Sequence, residues 1–242
     1  MKYIKKILSL MLALPFALSA GCAGGAAVKE SSVITTGSSV TVTKTGETPE
    51  TAATATHDSG TGSEGSKSNI LVVFFSRTGE QYTVGVIDKG NTAIVAEAIA
   101  EKTGADLFEV IPSDDHYPMT YKELTDVAKK EQNSNARPVY KGDVPDLTKY
   151  DTVFIGAPVW WGDWPMIMYT FFEKNADALS GKKLIPFSTH EGSGLSGFDK
   201  RLASACPGST VLKGLAIRGN DCQNKQEDVR YSVNEWISGL GY

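Results

Sequence analysis

The chain has 242 residues, 21% of them charged, and a formal net charge of −4 at pH 7. This mildly acidic balance excludes the strongly basic surface that nucleic-acid binding requires, so we expect no nucleic acid among the partners. The length is compatible with one or two domains, and the distribution of apolar residues, described next, favours one.

Residues 1–21 have the pattern of an export signal. The basic residues Lys2, Lys5 and Lys6 precede an apolar run at 7–17, which is followed by small residues. That run is too short for a helix that spans a bilayer. We therefore predict that 1–21 is a signal peptide. Without its three lysines the charge balance becomes 21 basic against 28 acidic residues, or −7.

Cys22 directly follows Leu18, Ser19, Ala20 and Gly21, which resemble a bacterial lipoprotein box with Ser19 in the place of the usual Leu. We predict that Cys22 is lipidated, because two acyl chains give stable anchoring. The expected location is the outer face of the bacterial cytoplasmic membrane after export, with the lipid anchor as the sole membrane contact. The alternative is an ordinary cleaved signal, with Cys22 incidental.

Residues 22–68 are mostly Ser, Thr, Gly, Ala and Glu, with few large apolar side chains. Such a segment buries too little surface to offset its ordering entropy. We predict a flexible tether that carries a single folded domain at 69–242. A short strand at 40–42 is the alternative for part of it.

The folded domain begins with an apolar, β-branched and aromatic run at 70–75, typical of a strand buried on both faces. A hydroxyl-rich turn follows at 76–79, then a polar excursion at 80–89. A helix is expected from Asn91, which we predict as its N-cap. A strand, a hydroxyl turn and a helix N-terminus together predict an anion site.

Strands and helices alternate in the rest of the chain. The predicted strands are 106–111, 152–155, 184–187 and a split strand at 211–212 and 215–217, and the predicted helices are 121–131, a segment from Pro165 to Glu173, 198–203 and 229–237. Pro186 has no N–H to donate, so it predicts a bulge or an edge in its strand.

Five strands alternating with helices predict an α/β fold, a doubly wound five-stranded parallel sheet with helices on both faces. If the strand order is 2-1-3-4-5, the loops after the first, third and fourth strands meet at one rim, where such sheets bind ligands. The second of these loops, 156–164, contains Trp160, Trp161 and Trp164. These suit either a stacking surface for a flat ligand or a cap on the end of the sheet. The third loop, 188–194, offers hydroxyls and glycines.

On these three loops the domain resembles the flavodoxin family, in its short single-domain branch, over about 69–240. The resemblance implies that FMN is the cofactor, with its phosphate at the first loop and its ring at the other two. The cofactor-binding residues it implies are Ser76, Arg77, Thr78, Gly79, Asn91, Thr92, Pro158, Val159, Trp160, Trp161, Gly162, Thr189, His190, Glu191, Gly192, Ser193 and Gly194. The excursion at 80–90 interrupts the family's loop, and is either a surface feature or a cover for the flavin.

The resemblance leaves three functions open. The first is an electron carrier with a redox partner protein or a small quinone-like acceptor. The second is an FMN-dependent NAD(P)H:quinone-type reductase, in which His190 would be either a proton donor or a hydrogen-bonding residue of the flavin loop. The third is a binding module without flavin, which the intact hydroxyls of the first loop argue against. No catalytic residue is assigned.

Other chemistry finds little support in the sequence. The pattern Gly192-x-Gly194-x-x-Gly197 fits a dinucleotide fingerprint but lacks its βαβ context, and no P-loop motif is present. No Cys/His spacing predicts a metal site, and we expect His116 to lie in a solvated loop. Cys206 and Cys222 form either a disulfide or two free thiols.

Overall fold

A computed structural model describes residues 69–242 of the chain. The predicted signal peptide, Cys22 and the predicted tether lie outside the described residues.

The elements follow one another in the alternation that the sequence predicts. The strands are β1 (Ile70–Phe74), β2 (Gly79–Gln81), β3 (Gly85–Ile87), β4 (Asp106–Glu109), β5 (Ile111–Pro112), β6 (Tyr140–Lys141), β7 (Thr152–Pro158), β8 (Lys183–His190), β9 (Thr210–Val211) and β10 (Leu215–Arg218). The α-helices are α1 (Asn91–Thr103), α2 (Tyr121–Ser134), α3 (Met166–Leu179), α4 (Phe198–Ala205), α5 (Gly219–Asn224) and α6 (Gln226–Gly239), and a 3-10 turn spans Leu147–Lys149.

The central sheet is parallel and has the order β4-β1-β7-β8-β10, with β9 also paired to β8. This confirms the predicted order 2-1-3-4-5 and the doubly wound fold. β1 lies inside the sheet, between β4 and β7, which explains its unbroken apolar sequence. The carboxyl ends of β1, β7 and β8 therefore lie side by side.

Successive residues of β1 point to opposite faces of the sheet, so the domain has two apolar layers. On one face Leu71 and Val73 join the core formed with α3 and α4, including Phe171 and Phe198. On the other face Val72 joins a core formed with α1, α5 and α6. No helix among residues 69–242 has both the length and the apolarity needed to cross a bilayer.

The two cysteines of the domain are free thiols on opposite sides of the sheet. Cys206 belongs to the core beneath α3 and α4, and Cys222 to the core beneath α1 and α6. Of the two alternatives from the sequence, the structure therefore shows free thiols. Burial raises the pKa of each thiol to about 12, so neither forms a thiolate at neutral pH.

Pro186 does not mark a bulge or an edge, so that prediction is wrong. It pairs with Ile155 inside β8, which has β7 on one side and β9 and β10 on the other. The fifth strand is interrupted between β9 and β10, and Gly214 lies in this gap. A Cβ on Gly214 would come within 2.5 Å of the Pro186 carbonyl oxygen. The missing N–H thus falls where no partner strand requires a donor.

Two further predictions of extent need correction. The strand predicted at 106–111 ends at Glu109, and β5 instead pairs antiparallel with β6, away from the central sheet. α3 continues to Leu179, beyond the predicted end at Glu173, because its apolar face goes on to bury Leu179.

Candidate functional site

A cleft of about 490 Å³ opens at the rim where β1, β7 and β8 end. The three predicted loops meet there. One part of its wall, which we call the loop side, is formed by these loops and the start of α1. The other part, which we call the hairpin side, is formed by β2, β3 and α2. The volume lies in the range of roughly 300–1,000 Å³ usual for small-molecule sites.

The first turn of α1 is arranged to receive an anion at the loop side. Gly90, not Asn91, is the N-cap, so the predicted cap is wrong by one position. Ser76 supplies the missing hydroxyl from the neighbouring loop, since its Oγ accepts a hydrogen bond of 3.1 Å from the N–H of Ala93. The N–H groups of Asn91 and Thr92 have no acceptor within the described residues. Two donors at the positive end of the helix remain available.

The backbone at this turn is tightly packed. A Cβ on Gly90 would come within 2.1 Å of Ser76 Oγ and 2.8 Å of the Arg77 carbonyl oxygen, so no larger residue fits without displacing the loop. The buried hydroxyls of Thr92 and Thr189 lie 2.8 Å apart and join α1 to the end of β8. The loop side is therefore held in one arrangement by backbone packing and a buried hydrogen bond.

Arg77 places a positive charge beside the cleft. Its Nη1 donates to Asp115 Oδ1 and its Nη2 to the Tyr117 carbonyl oxygen, each at 2.7 Å. The side chain is only 9% exposed, and its Nε is buried without a partner in the described part of the chain. A buried N–H without an acceptor is costly and uncommon in native proteins, so it marks the site.

The three tryptophans of the second loop have different roles. Trp164 is buried, stacks on Phe198 and donates its indole N–H to the Phe198 carbonyl oxygen, so it belongs to the core. Trp160 lines the cleft and packs edge-on against Phe75 at 5.3 Å. Trp161 lies at the mouth of the cleft. Of the two interpretations of this loop, the cap on the end of the sheet applies to Trp164, and the stacking surface for a flat ligand applies to Trp160 and Trp161.

Trp161 is held in an unusual position. It is 53% exposed and has φ +51°, a left-handed conformation that is rare for a bulky residue. Its indole N–H donates to the Thr125 carbonyl oxygen at 2.8 Å, and Lys129 Nζ lies 5.0 Å from its ring centre. Helix α2 therefore fixes an exposed aromatic ring beside the cleft.

The third loop brings His190 and Glu191 to the cleft. His190 Nδ1 accepts a hydrogen bond of 2.9 Å from the N–H of Gly192, so the neutral ring carries its proton on Nε2. Burial lowers the pKa of His190, an effect that nearby Glu191 opposes and Arg218 reinforces. Glu191 Oε1 accepts from the N–H of Asn220 at 2.7 Å. The loop thus presents a neutral donor and a fixed carboxylate.

The structure brings most of the predicted site residues together. Those that line the cleft are Arg77, Asn91, Thr92, Pro158, Val159, Trp160, Trp161, Gly162, Thr189, His190, Glu191 and Ser193. The others, Ser76, Thr78, Gly79, Gly192 and Gly194, are not among the residues that line it. Ser76 caps α1, Thr78 accepts from the Gln81 amide, Gly79 packs on the Met119 backbone, and Gly194 accepts from Ser188.

Sequence reasoning missed the residues of the hairpin side and one more beside the third loop: Gln81, Tyr82, Val84, Tyr121, Leu124, Thr125, Ala128 and Gly219. A signal for α2 was present, because 121, 124, 125 and 128 share one helical face. The sequence held no comparable signal for the turn of the hairpin.

The excursion predicted at 80–89 is largely a β-hairpin of β2 and β3, which we call the inserted hairpin. It is fixed to the start of α2. The Glu80 N–H donates to the Met119 carbonyl oxygen at 2.7 Å, and Glu80 Oε2 accepts from the Tyr121 N–H at 2.9 Å. The rings of Tyr82 and Tyr121 stack at 5.4 Å. The insertion therefore forms one wall of the cleft rather than a separate surface feature.

His116 lies in an exposed loop, as expected, but its ring is held by hydrogen bonds. Its Nε2 lies 2.8 Å from Oε1 of the buried Glu131, which also accepts from the Tyr117 hydroxyl at 3.0 Å. Burial is the largest single effect and lowers the pKa of His116, but the hydrogen bonds and charges of Glu131 and Asp114 together outweigh it and raise the pKa. Within 69–242 no group of three His, Cys, Asp or Glu side chains is arranged to hold a metal ion.

Comparison with known proteins is consistent with this architecture. A family model described as Flavodoxin matches residues 70–237. No curated protein matches the chain. A protein assigned as a flavoprotein from Bacteroides eggerthii DSM 20697 is 27% identical, with a TM-score of 0.55 over 72% of this chain and 99% of that one. One from Bacteroides uniformis ATCC 8492 is 26% identical, with a TM-score of 0.54 and the same coverage. A flavoprotein from Lactobacillus acidophilus NCFM, solved in complex with FMN, is 22% identical, with a TM-score of 0.50 over 66% of this chain and 99% of that one.

Proposed function

This chain belongs to the flavodoxin family, and we propose that it binds FMN in the rim cleft and acts as an electron carrier. The observation that carries the proposal is the meeting of two different kinds of surface in one cleft. The loop side offers unpaired N–H groups at the start of α1, and Trp160 and Trp161 offer aromatic surface within the same cavity. A phosphate joined to a flat ring requires this combination.

The residues of the cleft fit FMN. The N–H groups of Asn91 and Thr92 would hold the phosphate, and Arg77, whose charge is paired with Asp115, lines the same cleft. The absence of a side chain at Gly90 keeps Ser76 and the helix start in close contact. Gly219, which faces Asn91 and Glu191, likewise leaves no room for a Cβ.

FMN, when bound, supplies a ring system that takes up and releases one or two electrons. The chain contributes position and environment. Trp160 and Trp161 provide apolar surface for the ring and exclude water from it. The Nε2–H of His190 is a neutral donor, and the carboxylate of Glu191 disfavours extra negative charge nearby. These groups would set the potential at which electrons move.

A second function is an FMN-dependent reductase that takes electrons from NAD(P)H and delivers them to a quinone-type acceptor. The observation in its favour is that the cleft extends to the hairpin side, beyond the three loops that the family uses. In that case the Nε2–H of His190 would be a candidate proton donor to the acceptor.

The visible spectrum of the purified full-length chain tests the proposal. We expect the absorption bands of a bound flavin, either as isolated or after incubation with FMN and gel filtration. A chain that retains no FMN would contradict both functions. Anaerobic addition of NADH or NADPH then separates them, because a carrier without its partner protein stays oxidised whereas a reductase loses the visible band.

The location forms part of the same proposal. The sequence at 1–22 supports export and lipidation of Cys22, with 23–68 as a tether that holds the carrier at the outer face of the cytoplasmic membrane. We expect Cys22→Ala to move the protein from the membrane fraction to the soluble exported fraction of its host cells. An unchanged membrane fraction would contradict the lipid anchor, and Cys206→Ala serves as the control substitution.

A further inference from the structure

Helix α5 reaches the start of α1, on the loop side of the cleft, through the side chain of Gln223. Its amide Nε2 donates to the Lys89 carbonyl oxygen at 2.9 Å and to Asn91 Oδ1 at 2.7 Å. These two partners lie on either side of Gly90, the N-cap of α1. A residue 132 positions after Asn91 therefore holds the turn from which α1 begins.

The chemistry of the partners sets the direction of both hydrogen bonds. A backbone carbonyl oxygen, such as that of Lys89, can only accept, so the Gln223 atom that faces it must be the nitrogen of the amide. That nitrogen only donates, so the Asn91 atom 2.7 Å from it must be the oxygen of the Asn91 amide. The nitrogen of the same amide, Asn91 Nδ2, is thereby left as a donor for another partner.

This donor belongs to the cleft. Asn91 lines the cavity and is only 9% exposed, and its Nδ2 has no acceptor among residues 69–242. A Cβ on Gly219 would come within 2.4 Å of Asn91 Nδ2 and 2.8 Å of Glu191 Oε1, and both Gly219 and Glu191 also line the cavity. A buried amide N–H without an acceptor is costly and uncommon. It therefore indicates an oxygen atom of a ligand at this point of the wall.

We propose that Gln223 is a positioning residue for FMN, because it holds the Asn91 amide with Nδ2 available to an oxygen acceptor of the cofactor's phosphate or sugar-alcohol chain. The inference rests on the proposed function, since it requires FMN in the cleft. Gln223 does not line the cleft itself, so it acts through Asn91. Without its hydrogen bond the Asn91 amide can turn over and present Oδ1, which repels the oxygen atoms that Nδ2 would bind.

Two variants of similar size test this role by fluorescence titration of the full-length chain with FMN. Gln223→Leu removes the donor and leaves the amide unconstrained, so we expect FMN to bind about fivefold more weakly. Gln223→Glu offers only acceptors at neutral pH and so favours the reversed amide. Its loss should be about tenfold or more, because Asn91 Oδ1 then faces the oxygen atoms of the ligand. Affinity within twofold of wild type in both variants would overturn the proposal.

A double-mutant cycle separates positioning from general support of the fold. In an Asn91→Ala background, Gln223→Leu should change FMN affinity by less than about twofold, because no amide remains to be directed. An equal loss with and without the Asn91 side chain would mean that Gln223 only supports the turn, and it would overturn the proposal. Asn224→Ala is the matched control, since it removes a hydrogen bond within α5, to the Asn220 carbonyl oxygen, and should leave FMN affinity unchanged.

Riboflavin, which lacks the phosphate, identifies the acceptor. If Gln223→Leu weakens FMN and riboflavin binding by the same factor, Asn91 Nδ2 binds the sugar-alcohol chain, and if it weakens FMN binding alone, Nδ2 binds the phosphate.

Failure of the positioning role and failure of the proposed function are distinguishable. Retention of FMN by the wild-type chain after gel filtration is measured first, and absence of FMN there contradicts the proposed function. FMN bound equally well by wild type and by both Gln223 variants contradicts the positioning role and leaves the carrier intact.

Discussion

The two sides of the cleft are built in different ways. At the loop side the chain is held by backbone packing, with Gly90 pressed against Ser76, and by the buried hydroxyl pair of Thr92 and Thr189. At the hairpin side the contacts reach solvent, with Tyr82 55% and Tyr121 37% exposed. The loop side comes from the alternating strands and helices, whereas the hairpin side depends on an insertion docked by one turn of α2.

This difference separates two tasks that a redox protein must combine. A cofactor that stays bound requires donors fixed in advance, because ordering them on binding would cost affinity. A molecule that enters and leaves requires an accessible surface. The rigid loop side suits the first task and the exposed hairpin side suits the second. Changes at the two sides should therefore have different effects.

The largest effect is expected from Gly90→Ala. The added methyl would lie 2.1 Å from Ser76 Oγ and 2.8 Å from the Arg77 carbonyl oxygen, so the loop must move away from the start of α1. Overpacking of this kind costs about 1–3 kcal/mol, and we expect FMN affinity to fall by about tenfold or more. Fluorescence titration of FMN measures it. Gly239→Ala is the matched control, because a Cβ there meets nothing within 4 Å. Equal FMN affinity in the two variants would show that the loop side is not rigid.

A smaller and more local effect is expected from Glu80→Ala. The variant removes the carboxylate that accepts a hydrogen bond from the Tyr121 N–H. A negative charge at the start of a helix, as here at α2, stabilises it by about 0.3–1 kcal/mol. Amides of the inserted hairpin and the first turn of α2 should exchange about two- to fivefold faster, while those of β1 stay unchanged. Hydrogen exchange with mass spectrometry checks this. Glu227→Ala, an acid in the first turn of α6, is the control. Faster exchange in β1 as well would indicate that the two sides are coupled.

The smallest effect concerns pH and has opposite signs at two histidines. The pKa of His116 is raised in the fold, so its contribution to stability is complete below the unfolded value and disappears as pH rises through the folded value. The pKa of His190 is lowered, so its neutral form is favoured and stability falls as pH drops below the unfolded value. The unfolded value of a histidine is about 6.5.

Melting temperatures at pH 6 and pH 8.5 compare these two groups. His116→Gln should lose more stability relative to wild type at pH 6 than at pH 8.5. His190→Gln should show the reverse trend, because it removes a ring that resists protonation. The same pH trend in both variants would contradict the assignment of His116 as the charged partner of Glu131.

The sequence was sufficient for the sheet and the loop side because both follow from local patterns. The apolar run at 70–75 identifies a central strand, and strand alternation then brings the loops after β1, β7 and β8 to one rim. The hydroxyls and glycines of those loops indicate an anion and a flat ring. Even here the predicted N-cap of α1 is wrong by one residue, because Ser76 provides the capping hydroxyl from outside the helix.

The hairpin side could not be predicted, because it depends on contacts between residues distant in sequence. Nothing local to Glu80 indicates that it accepts a hydrogen bond from Tyr121, 41 positions later. The prediction of a bulge or an edge at Pro186 was wrong for the same reason. Its tolerance inside β8 comes from the gap at Gly214 in a different strand. Tertiary contacts of this kind override what a residue favours by itself.

Each face of the sheet has one free cysteine, whose reaction can report when the helices that cover that face separate from the sheet. Cys206 is 1% exposed beneath α3 and α4, and Cys222 is fully buried beneath α1 and α6. A thiol reagent can modify either one only in molecules whose covering helices have separated from the sheet. The rates at which the two thiols react in the native protein therefore measure, helix layer by helix layer, how often each half of the domain opens.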